Sequence, residues 1–328
     1  MLDTLIYTLT PISTLFLFMG IGFALSKLHI LPKESSKVLS KLVVWVFYPA
    51  LCFITTAKNC TPKTLMDNGI NLLYSAVALA LAITLSYFLV PIFAKRRTYE
   101  SAIYRYALTF ANSGYMGDPL VLAIFGEEFL FYYKIFTIPV SFVIYTWGVG
   151  ILTPKEKKPK NAFIKLLNPS NVGLILGIVV GLSGIYTYFP EFITDSLESL
   201  KACLGPCVML LAGCAVGLYS LKNMVTNKKV YLATLFRMVL IPAFLIGSLY
   251  VLTLGLSLCG LTVSNAVLYM TFFAFATPLG LNTVVYPESF GSDAEPGAAM
   301  ALVSHTLSVL SIPVMFTLLE LIIGKCAI

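Results

Sequence analysis

The stretch that decides the fold is ALTFANSGYMGDPLVLAIFG, residues 107–126. Its apolar content is that of a membrane span, but polar and helix-breaking residues occupy its middle. Proline removes a backbone donor and clashes with the preceding turn, and the residue before it is pushed away from the α region. Asp followed by Pro is also a typical helix start, with Asp118 as N-cap and Pro119 in the first helical position. We therefore predict two half-helices joined by an unwound link of about six residues that ends near Asp118.

An interruption at this depth also predicts a binding site. Unsatisfied backbone groups are costly in hydrocarbon, so irregular backbone persists there only inside protein or beside a watery cavity. The candidate binding residues of this interruption are Asn112, Ser113, Gly114, Asp118 and Pro119.

The composition is that of an integral membrane protein. Of the 328 residues, 58% are hydrophobic and only 11% are charged. The long apolar runs exclude the alternating pattern of an outer-membrane barrel. We therefore predict an all-α membrane protein embedded in the lipid bilayer. The net charge of +7 comes from basic residues in short loops, which indicates membrane orientation rather than a nucleic-acid partner. The seven cysteines lack metal-ligand spacing with His or acidic residues, so we predict no metal site and no cofactor.

Ten segments are long and apolar enough to cross a hydrocarbon core of roughly 30 Å. They cover residues 5–26, 38–57, 70–94, 102–125, 129–152, 171–189, 197–219, 230–254, 265–287 and 297–323. Of the 22 lysines and arginines, 17 lie in or beside the loops after spans 1, 3, 5 and 7. This bias predicts a cell (inner) membrane protein with those loops in the cytoplasm and both termini outside it.

The two halves of the chain echo each other. A polar cytoplasmic connector, 153–170, separates a first five-helix repeat, 1–152, from a second, 171–328. Span 9 contains FATPLGLNTVVY, in which Thr277 and Pro278 repeat the cap-plus-proline signal of span 4. An odd number of spans per repeat inverts one half relative to the other in the membrane. Interrupted spans at matching places in inverted halves are typical of secondary-transporter sites.

Six stretches, two of which overlap those quoted above, carry a resemblance to a known family. They are YPALCF at 48–53, NSGYMGDPL at 112–120, NPSNVGLILG at 168–177, FRMVLIP at 236–242, TPLGLNTVVYPESFGSDAE at 277–295 and ALVSHTLSVLSIPV at 301–314. In their order and spacing the chain resembles the auxin efflux carrier family in its bacterial short-loop form, within the bile-acid/auxin transporter superfamily. The match covers essentially the whole chain.

The resemblance implies ten transmembrane helices in two inverted five-helix repeats, with broken helices 4 and 9 crossing each other. It implies a scaffold of helices 1, 2, 6 and 7, through which a homodimer forms, and a transport domain of helices 3–5 and 8–10. The implied substrates are small organic anions, either auxin-like or malate-type carboxylates. Asp118 and His305 stand where other members more often carry an apolar and a small polar residue, respectively.

An anion site can be built at such a crossing without a formal positive charge. Half-helices that begin at Pro119 and Pro278 would direct their positive dipole ends and free N–H groups to one point. The neutral hydrogen-bonding residues beside them are Asn112, Ser113, Thr277 and Asn282. We expect a carboxylate to bind there.

Three ionisable residues at depth have alternative interpretations. Asp118 is either a structural N-cap or a coupling site that takes up a proton or Na⁺, and these roles are compatible. His305 is either a neutral side chain bonded to a hydroxyl or carbonyl, or a proton relay or substrate contact. Arg237, two turns into span 8, either extends to the cytoplasmic surface or pairs with the substrate carboxylate.

The sequence leaves three functions to compare. The first is a secondary active carrier for small organic anions that works by alternating access. The second is a Na⁺-coupled symporter for bulkier amphipathic acids of the bile-acid type. The third is a membrane sensor with a transporter-like fold. An intramembrane enzyme is disfavoured because no HExxH or GxSxG motif occurs, and a second intramembrane Asp to partner Asp118 is absent.

Overall fold

The structure is a computed structural model, and it describes residues 2–32, 34–154, 169–218, 226–289, 292 and 295–324. Most of the predicted connector 153–170 lies outside these residues. Nearly all the regular structure of the described chain is helical.

The helices of the first half are α1 (Leu2–Lys27), α2 (Ser35–Leu42), α3 (Tyr48–Asn59), α4 (Pro62–Asp67), α5 (Gly69–Phe93), α6 (Tyr99–Thr109), α7 (Asp118–Phe136), α8 (Ile138–Val143) and α9 (Val149–Leu152). Those of the second half are α10 (Pro169–Ser183), α11 (Glu191–Gly217), α12 (Lys228–Leu235), α13 (Ile241–Leu258), α14 (Ala266–Ala276), α15 (Asn282–Ser289) and α16 (Glu295–Ile323). Wide π-helical turns lie at Val43–Phe47, Ser113–Gly117, Ile144–Gly148 and Phe236–Leu240, and a 3₁₀ turn at Ile185–Tyr188.

The chain is a multi-pass membrane protein. Within the described residues, six helical segments are individually long and apolar enough to cross a membrane: Leu9–Lys27, Ser35–Asn59, Pro62–Phe93, Glu191–Cys214, Lys228–Leu258 and Glu295–Ile323. A seventh arises if the pair Ser113–Phe136 and Ile138–Leu152, bent by 46°, is counted as one span. Large apolar side chains such as Leu17, Phe88, Val251 and Leu310 are exposed on the outside of the helices. Such a surface is suited to lipid and not to water.

Three of the wide turns stand just before a proline. The turns 43–47, 113–117 and 236–240 end two residues before Pro49, Pro119 and Pro242. Proline lacks the N–H that would bond the preceding turn, and its ring crowds the carbonyl four residues back. Widening that turn to π geometry relieves the clash while the helix continues. The helix therefore continues through each of these prolines.

This accommodation corrects the prediction made for span 4. Helix α6 ends at Thr109, Phe110 is extended (φ −111°, ψ 129°), and winding resumes at Ser113 in the π turn that leads into α7. The carbonyl of Asn112 already accepts hydrogen bonds from the N–H groups of Met116 and Gly117. The interruption is therefore real but lies earlier than predicted. The assignment of Asp118 as N-cap was wrong, because Pro119 is absorbed by the wide turn.

The prediction for span 9 needs the same kind of correction. Helix α14 ends at Ala276, Thr277 is extended (φ −65°, ψ 157°), and α15 begins at Asn282. Thr277 is thus not an N-cap, and Pro278 is not in a first helical position. Both residues lie in an extended link of the chain between the two half-helices.

The two links contact each other, as predicted. Ala111 and Leu279 form an antiparallel bridge, and the N–H of Asn112 donates to the carbonyl of Pro278 at 2.8 Å. This pairing satisfies backbone groups that helix geometry leaves free, which irregular backbone at membrane depth requires. It also explains why the links are extended: each serves as a short strand for the other.

Glycines allow the long helices outside the crossing to pack closely. Helix α1 packs against α11, and α3 against α10. A Cβ at Gly22 would collide with the backbone of Leu210, and one at Gly213 would collide with the backbone of Met19. Small residues at such interfaces let backbones approach where no hydrophobic driving force operates between helices.

A four-residue ion cluster joins three helices at one end of the molecule. Glu127 of α7 lies 2.9 Å from the amine of Lys58 in α3 and 2.6 Å from that of Lys201 in α11. Glu198, one turn from Lys201, completes the cluster at 2.8 Å from the same amine. The carboxylates are about one-third exposed, so the cluster is partly solvated.

Candidate anion-binding site

A cavity of about 330 Å³ lies beside the crossed links. Both links line it, through Ala111–Gly114 on one side and Gly280–Asn282 on the other. The rest of its wall comes from α3, the end of α7, α8, the adjoining π turn and α10. The volume is in the range of pockets for small organic molecules.

One charged side chain, that of Lys134, belongs to the cavity wall among the described residues. Its Nζ donates to Oδ2 of Asp118 at 2.8 Å and to the hydroxyl of Tyr48 at 3.0 Å. The side chains are 6% exposed for Lys134 and fully buried for Asp118. The second carboxylate oxygen of Asp118 is buried without a hydrogen-bond partner in the described structure. An ammonium has three N–H donors, so a cavity-bound anion could share Lys134 with its two protein partners.

A bend at Gly126 brings this ion pair together. Asp118 and Lys134 both belong to α7, and a straight helix would separate residues 16 apart by about 24 Å. Gly126 has φ 83° and ψ −172°, a conformation that a side chain would strain, and it folds the second part of α7 back on the first. The site therefore depends on one glycine that lies outside it.

A second glycine makes room for Tyr48. A Cβ on Gly114 would collide with the Tyr48 hydroxyl, so the bare backbone of the π turn lets that hydroxyl reach Lys134. The Tyr48 ring also lies 4.7 Å from the Lys134 amine and packs edge-on against Tyr115 at 5.5 Å. These contacts hold the amine in one position.

Asn112 and Asn282 place their amides on either side of the crossing. The Asn112 amide nitrogen lies 3.4 Å from Nε2 of His305, and Nδ1 of His305 lies 2.8 Å from the carbonyl of Ala301. Because a carbonyl can only accept, Nδ1 carries the proton and Nε2 accepts from Asn112. The amide of Asn282 donates to the hydroxyl of Tyr106 at 2.8 Å.

Two helix N-termini reach the cavity wall. Ser113 and Gly114 open the π turn that leads into α7, and Asn282 opens α15. The first N–H groups of a helix have no partner within it, and the helix dipole makes that end positive. The positive ends are thus several residues away from the two prolines where the sequence predicted them.

The predicted site residues fall into two groups. Asn112, Ser113, Gly114 and Asn282 line the cavity. The residues outside its wall are Asp118, Pro119, Thr277, Pro278 and His305. Asp118 and His305 still touch lining residues, through Lys134 and Asn112 respectively.

Sequence reasoning missed Lys134 and Tyr48. Lys134 is one of the five basic residues outside the 17 that indicate orientation, and the run FLFYYKIFTIPV places it inside predicted span 5. An ionisable residue within a span is itself a functional signal, and that signal could have found it. Tyr48 opens the YPALCF stretch that carries part of the resemblance, but nothing in the sequence indicates that its hydroxyl reaches a lysine.

Arg237 does not extend to the membrane surface, so that expectation was wrong. Its side chain is 2% exposed, and its Nη1 donates to the carbonyl of Phe275 at 2.6 Å, near the end of α14. The reason is that the wide turn 236–240 directs this face of the helix toward α14 and α16, with which it packs.

Comparisons with known proteins agree with this architecture. The model of the membrane transport protein family matches the chain twice, over residues 7–162 and 159–316, which indicates two repeated halves. An uncharacterized transporter of Methanocaldococcus jannaschii, MJ1031, is 24% identical over 229 residues, which are 68% of this chain and 73% of that protein. These two matches together span most of the chain and concern transporters, not enzymes. The chain therefore belongs to the membrane transport protein family, that of the auxin efflux carriers.

Proposed function

We propose that this protein is a secondary active transporter for small organic anions, which it binds at Lys134 beside the crossed links. The observation that carries the proposal is a buried amine on the wall of a 330 Å³ cavity that two helix N-termini also reach. The amine and the two helix N-termini each favour a negatively charged ligand. Alternating access would expose this cavity to each side of the membrane in turn.

The cavity favours a monocarboxylate with an apolar body. Only one cation lines it among the described residues, so a second carboxylate, as in malate, would lack a counter-charge. Much of the remaining wall is apolar and includes Ile138, Phe142, Leu174, Ile175 and Ile178. Auxin-like acids therefore fit this chemistry better than malate-type acids.

The proposed architecture has ten spans in two inverted five-helix repeats. Four spans would add to the six individually recognisable ones: the interrupted spans 4 and 9, span 5 from the part of α7 after Gly126 with α8 and α9, and span 6 from the short helix α10. The repeated family match supports two related halves. The packing of α1 on α11 and of α3 on α10 supports a scaffold of helices 1, 2, 6 and 7, against which the other six would move.

The proposed setting follows from the same architecture. We place the protein in the cell membrane with both termini outside, from the distribution of its lysines and arginines. The proposed partners are the organic anion, the lipid bilayer and a second copy of the chain bound through the scaffold.

Proton coupling through Asp118 follows from charge balance. In the empty carrier, Lys134 and Asp118 sum to zero charge. A carboxylate that binds Lys134 leaves one net negative charge in a buried site, and protonation of Asp118 removes it. Anion and proton would then move together, and uptake would rise as the pH on the substrate side falls. In this scheme His305 positions Asn112 and does not carry the proton.

The Na⁺-coupled alternative is less favoured by this geometry. Asp118 already holds an ammonium at 2.8 Å, so Na⁺ would have to displace Lys134 to bind there. Transport of a bulky acid that depends strictly on Na⁺ would support that alternative. A sensor would bind the same anions without moving them across the membrane.

Binding and uptake by the purified protein test the proposal. Thermal shifts with an aryl acetate and with malate measure binding, and uptake into proteoliposomes measures transport. We expect the aryl acetate to bind, and Lys134→Gln to weaken its binding by at least about 30-fold. The exposed Lys63 gives the matched control, Lys63→Gln, which should bind normally. Equal binding by wild type and Lys134→Gln would contradict the proposal.

Asp118→Asn tests the coupling step separately. The amide keeps the size of the side chain but cannot take up a proton reversibly, so acceleration of uptake by an inward proton gradient should disappear. Asp195→Asn, at an exposed position, is the control. A pH dependence that persists in Asp118→Asn would rule out this role.

A further inference from the structure

A second, much smaller cavity lies behind the crossing. It measures about 10 Å³ and is lined by Ala107, Ala233, Thr234, Arg237, Leu279, Met300 and Ser304. It shares no lining residue with the large cavity, although Leu279 and Gly280, neighbours in the span 9 link, line one each. The link therefore separates two spaces of different size.

The polar atoms around this small cavity are incompletely satisfied. Arg237 uses Nη1 for the carbonyl of Phe275, but its Nε and Nη2 have no partner within the described structure. The hydroxyl of Thr234, a residue that is 2% exposed, also lacks one. Buried polar groups in native proteins almost always have partners, so three such atoms at one cavity indicate a missing occupant.

The charge of the occupant follows from Arg237. A guanidinium remains protonated in proteins and has only donors. Among the described residues it forms no ion pair, and its carbonyl partner near the C-terminal end of α14 supplies only part of a negative charge. An isolated buried charge is very costly. A water molecule would satisfy the N–H groups but would leave the charge uncompensated.

The size of the occupant follows from the volume. A cavity needs roughly 10–15 Å³ of this kind of space to hold one water-sized group. A carboxylate with even a short carbon chain exceeds that volume, whereas a monatomic anion requires only a slight outward shift of the wall. The flexible side chain of Met300 can provide this shift.

We propose that Arg237 and Thr234 hold a chloride ion in this cavity, behind the crossed links. The guanidinium supplies Nε–H and Nη2–H, and the threonine supplies its hydroxyl proton. The ion lies against Leu279 and Ser304, whose N–H and Oγ are bonded to each other at 3.2 Å. It thereby neutralises Arg237 and fixes the span 9 link to α16. This ion is distinct from the transported anion and stays with the protein.

Halide-dependent stability of the full-length purified protein tests the proposal. Thermal unfolding is compared in sodium chloride, sodium bromide and sodium gluconate at equal Na⁺ concentration, with no organic substrate present. We expect chloride and bromide to raise the unfolding midpoint by about 3 °C over gluconate, in a saturable way. Gluconate is too large for the cavity. Equal midpoints in all three salts would show that the cavity holds water only and would overturn the proposal.

Two variants locate the effect. Arg237→Gln should abolish the difference between halide and gluconate. Thr234→Val keeps the shape of the side chain and should raise the half-saturating chloride concentration about ten-fold. The matched control is Thr271→Val, at a buried threonine whose hydroxyl bonds within its own helix to Val267, and its half-saturating concentration should not change. If Arg237→Gln fails to fold, Thr234→Val decides alone. A halide effect that survives Thr234→Val unchanged would place the ion elsewhere.

Discussion

Two buried cations lie on opposite sides of the crossed links, and their surroundings differ. Lys134 has a carboxylate, a hydroxyl and an aromatic ring around its amine, and it lines the large cavity. Within the described residues, Arg237 has a single partner, a backbone carbonyl, and it lines a space of about 10 Å³. The first cation is compensated by a carboxylate of the protein, whereas no described carboxylate compensates the second.

The difference separates two tasks of a carrier. A cation with its own counter-ion can bind and release a substrate, because the protein partner takes over whenever the substrate leaves. A cation without a protein counter-ion needs a permanent occupant, because every empty state would expose an isolated charge to low dielectric. On this comparison Lys134 serves transport and Arg237 serves the integrity of the crossing.

The largest expected effect comes from breaking the compensated pair. Lys134→Met leaves the Asp118 carboxylate buried without a cation, which should lower the free energy of unfolding by about 3–5 kcal/mol. The double variant Lys134→Met/Asp118→Leu should recover most of that loss. Both variants should fail to bind carboxylates. Unfolding of the purified proteins in detergent measures the stability, and a double variant no more stable than the single one would contradict the pairing.

An intermediate effect is expected at Arg237. In gluconate, Arg237→Met loses the bond to the Phe275 carbonyl, worth about 1–3 kcal/mol, but also removes an uncompensated charge. The net loss in the free energy of unfolding should therefore be smaller than for Lys134→Met. Unfolding of both variants side by side in gluconate checks this order. A loss at Arg237 as large as that at Lys134 would mean that a protein counter-charge exists there.

The smallest effect should come from Tyr48. Tyr48→Phe removes one hydrogen bond of Lys134 and leaves the ion pair with Asp118, so stability should fall by about 1 kcal/mol. Carboxylate binding should weaken only a few-fold, which thermal shifts can measure. Tyr188→Phe, at a highly exposed position, is the control. A loss comparable with that of Lys134→Gln would contradict the minor role assigned to the hydroxyl and would show that it holds the anion together with the amine.

The interruptions could be predicted from sequence, but their boundaries could not. Asn, Gly and Pro in an apolar stretch weaken a helix wherever it folds, so the break in each span was visible in advance. Its position depends on tertiary contacts: the wide turn absorbs Pro119, and the pairing of Ala111 with Leu279 keeps both links extended. Capping rules consider only residues near in sequence, so they predict neither the wide turn at Pro119 nor the pairing of the two links.

Only some residues of the candidate site could be predicted from the sequence. Residues beside the breaks, such as Asn112 and Asn282, were found because they adjoin the links. The pairing of Asp118 with Lys134 was not found, because it requires the reversal of α7 at Gly126. Arg237 was misplaced because depth along a span does not indicate which face of the helix is directed inward.

The ion cluster of Glu127, Lys58, Lys201 and Glu198 sits where moving and stationary parts of the proposed carrier would meet. The carboxylates of this cluster are about one-third exposed and Lys58 is exposed further, whereas Lys201 is buried, so salt screens these ion pairs only in part. Ion pairs of this kind stabilise one orientation of the carrier only weakly, and they separate without exposing apolar surface. The turnover rate would then depend on the ionic strength of the medium at that end of the protein.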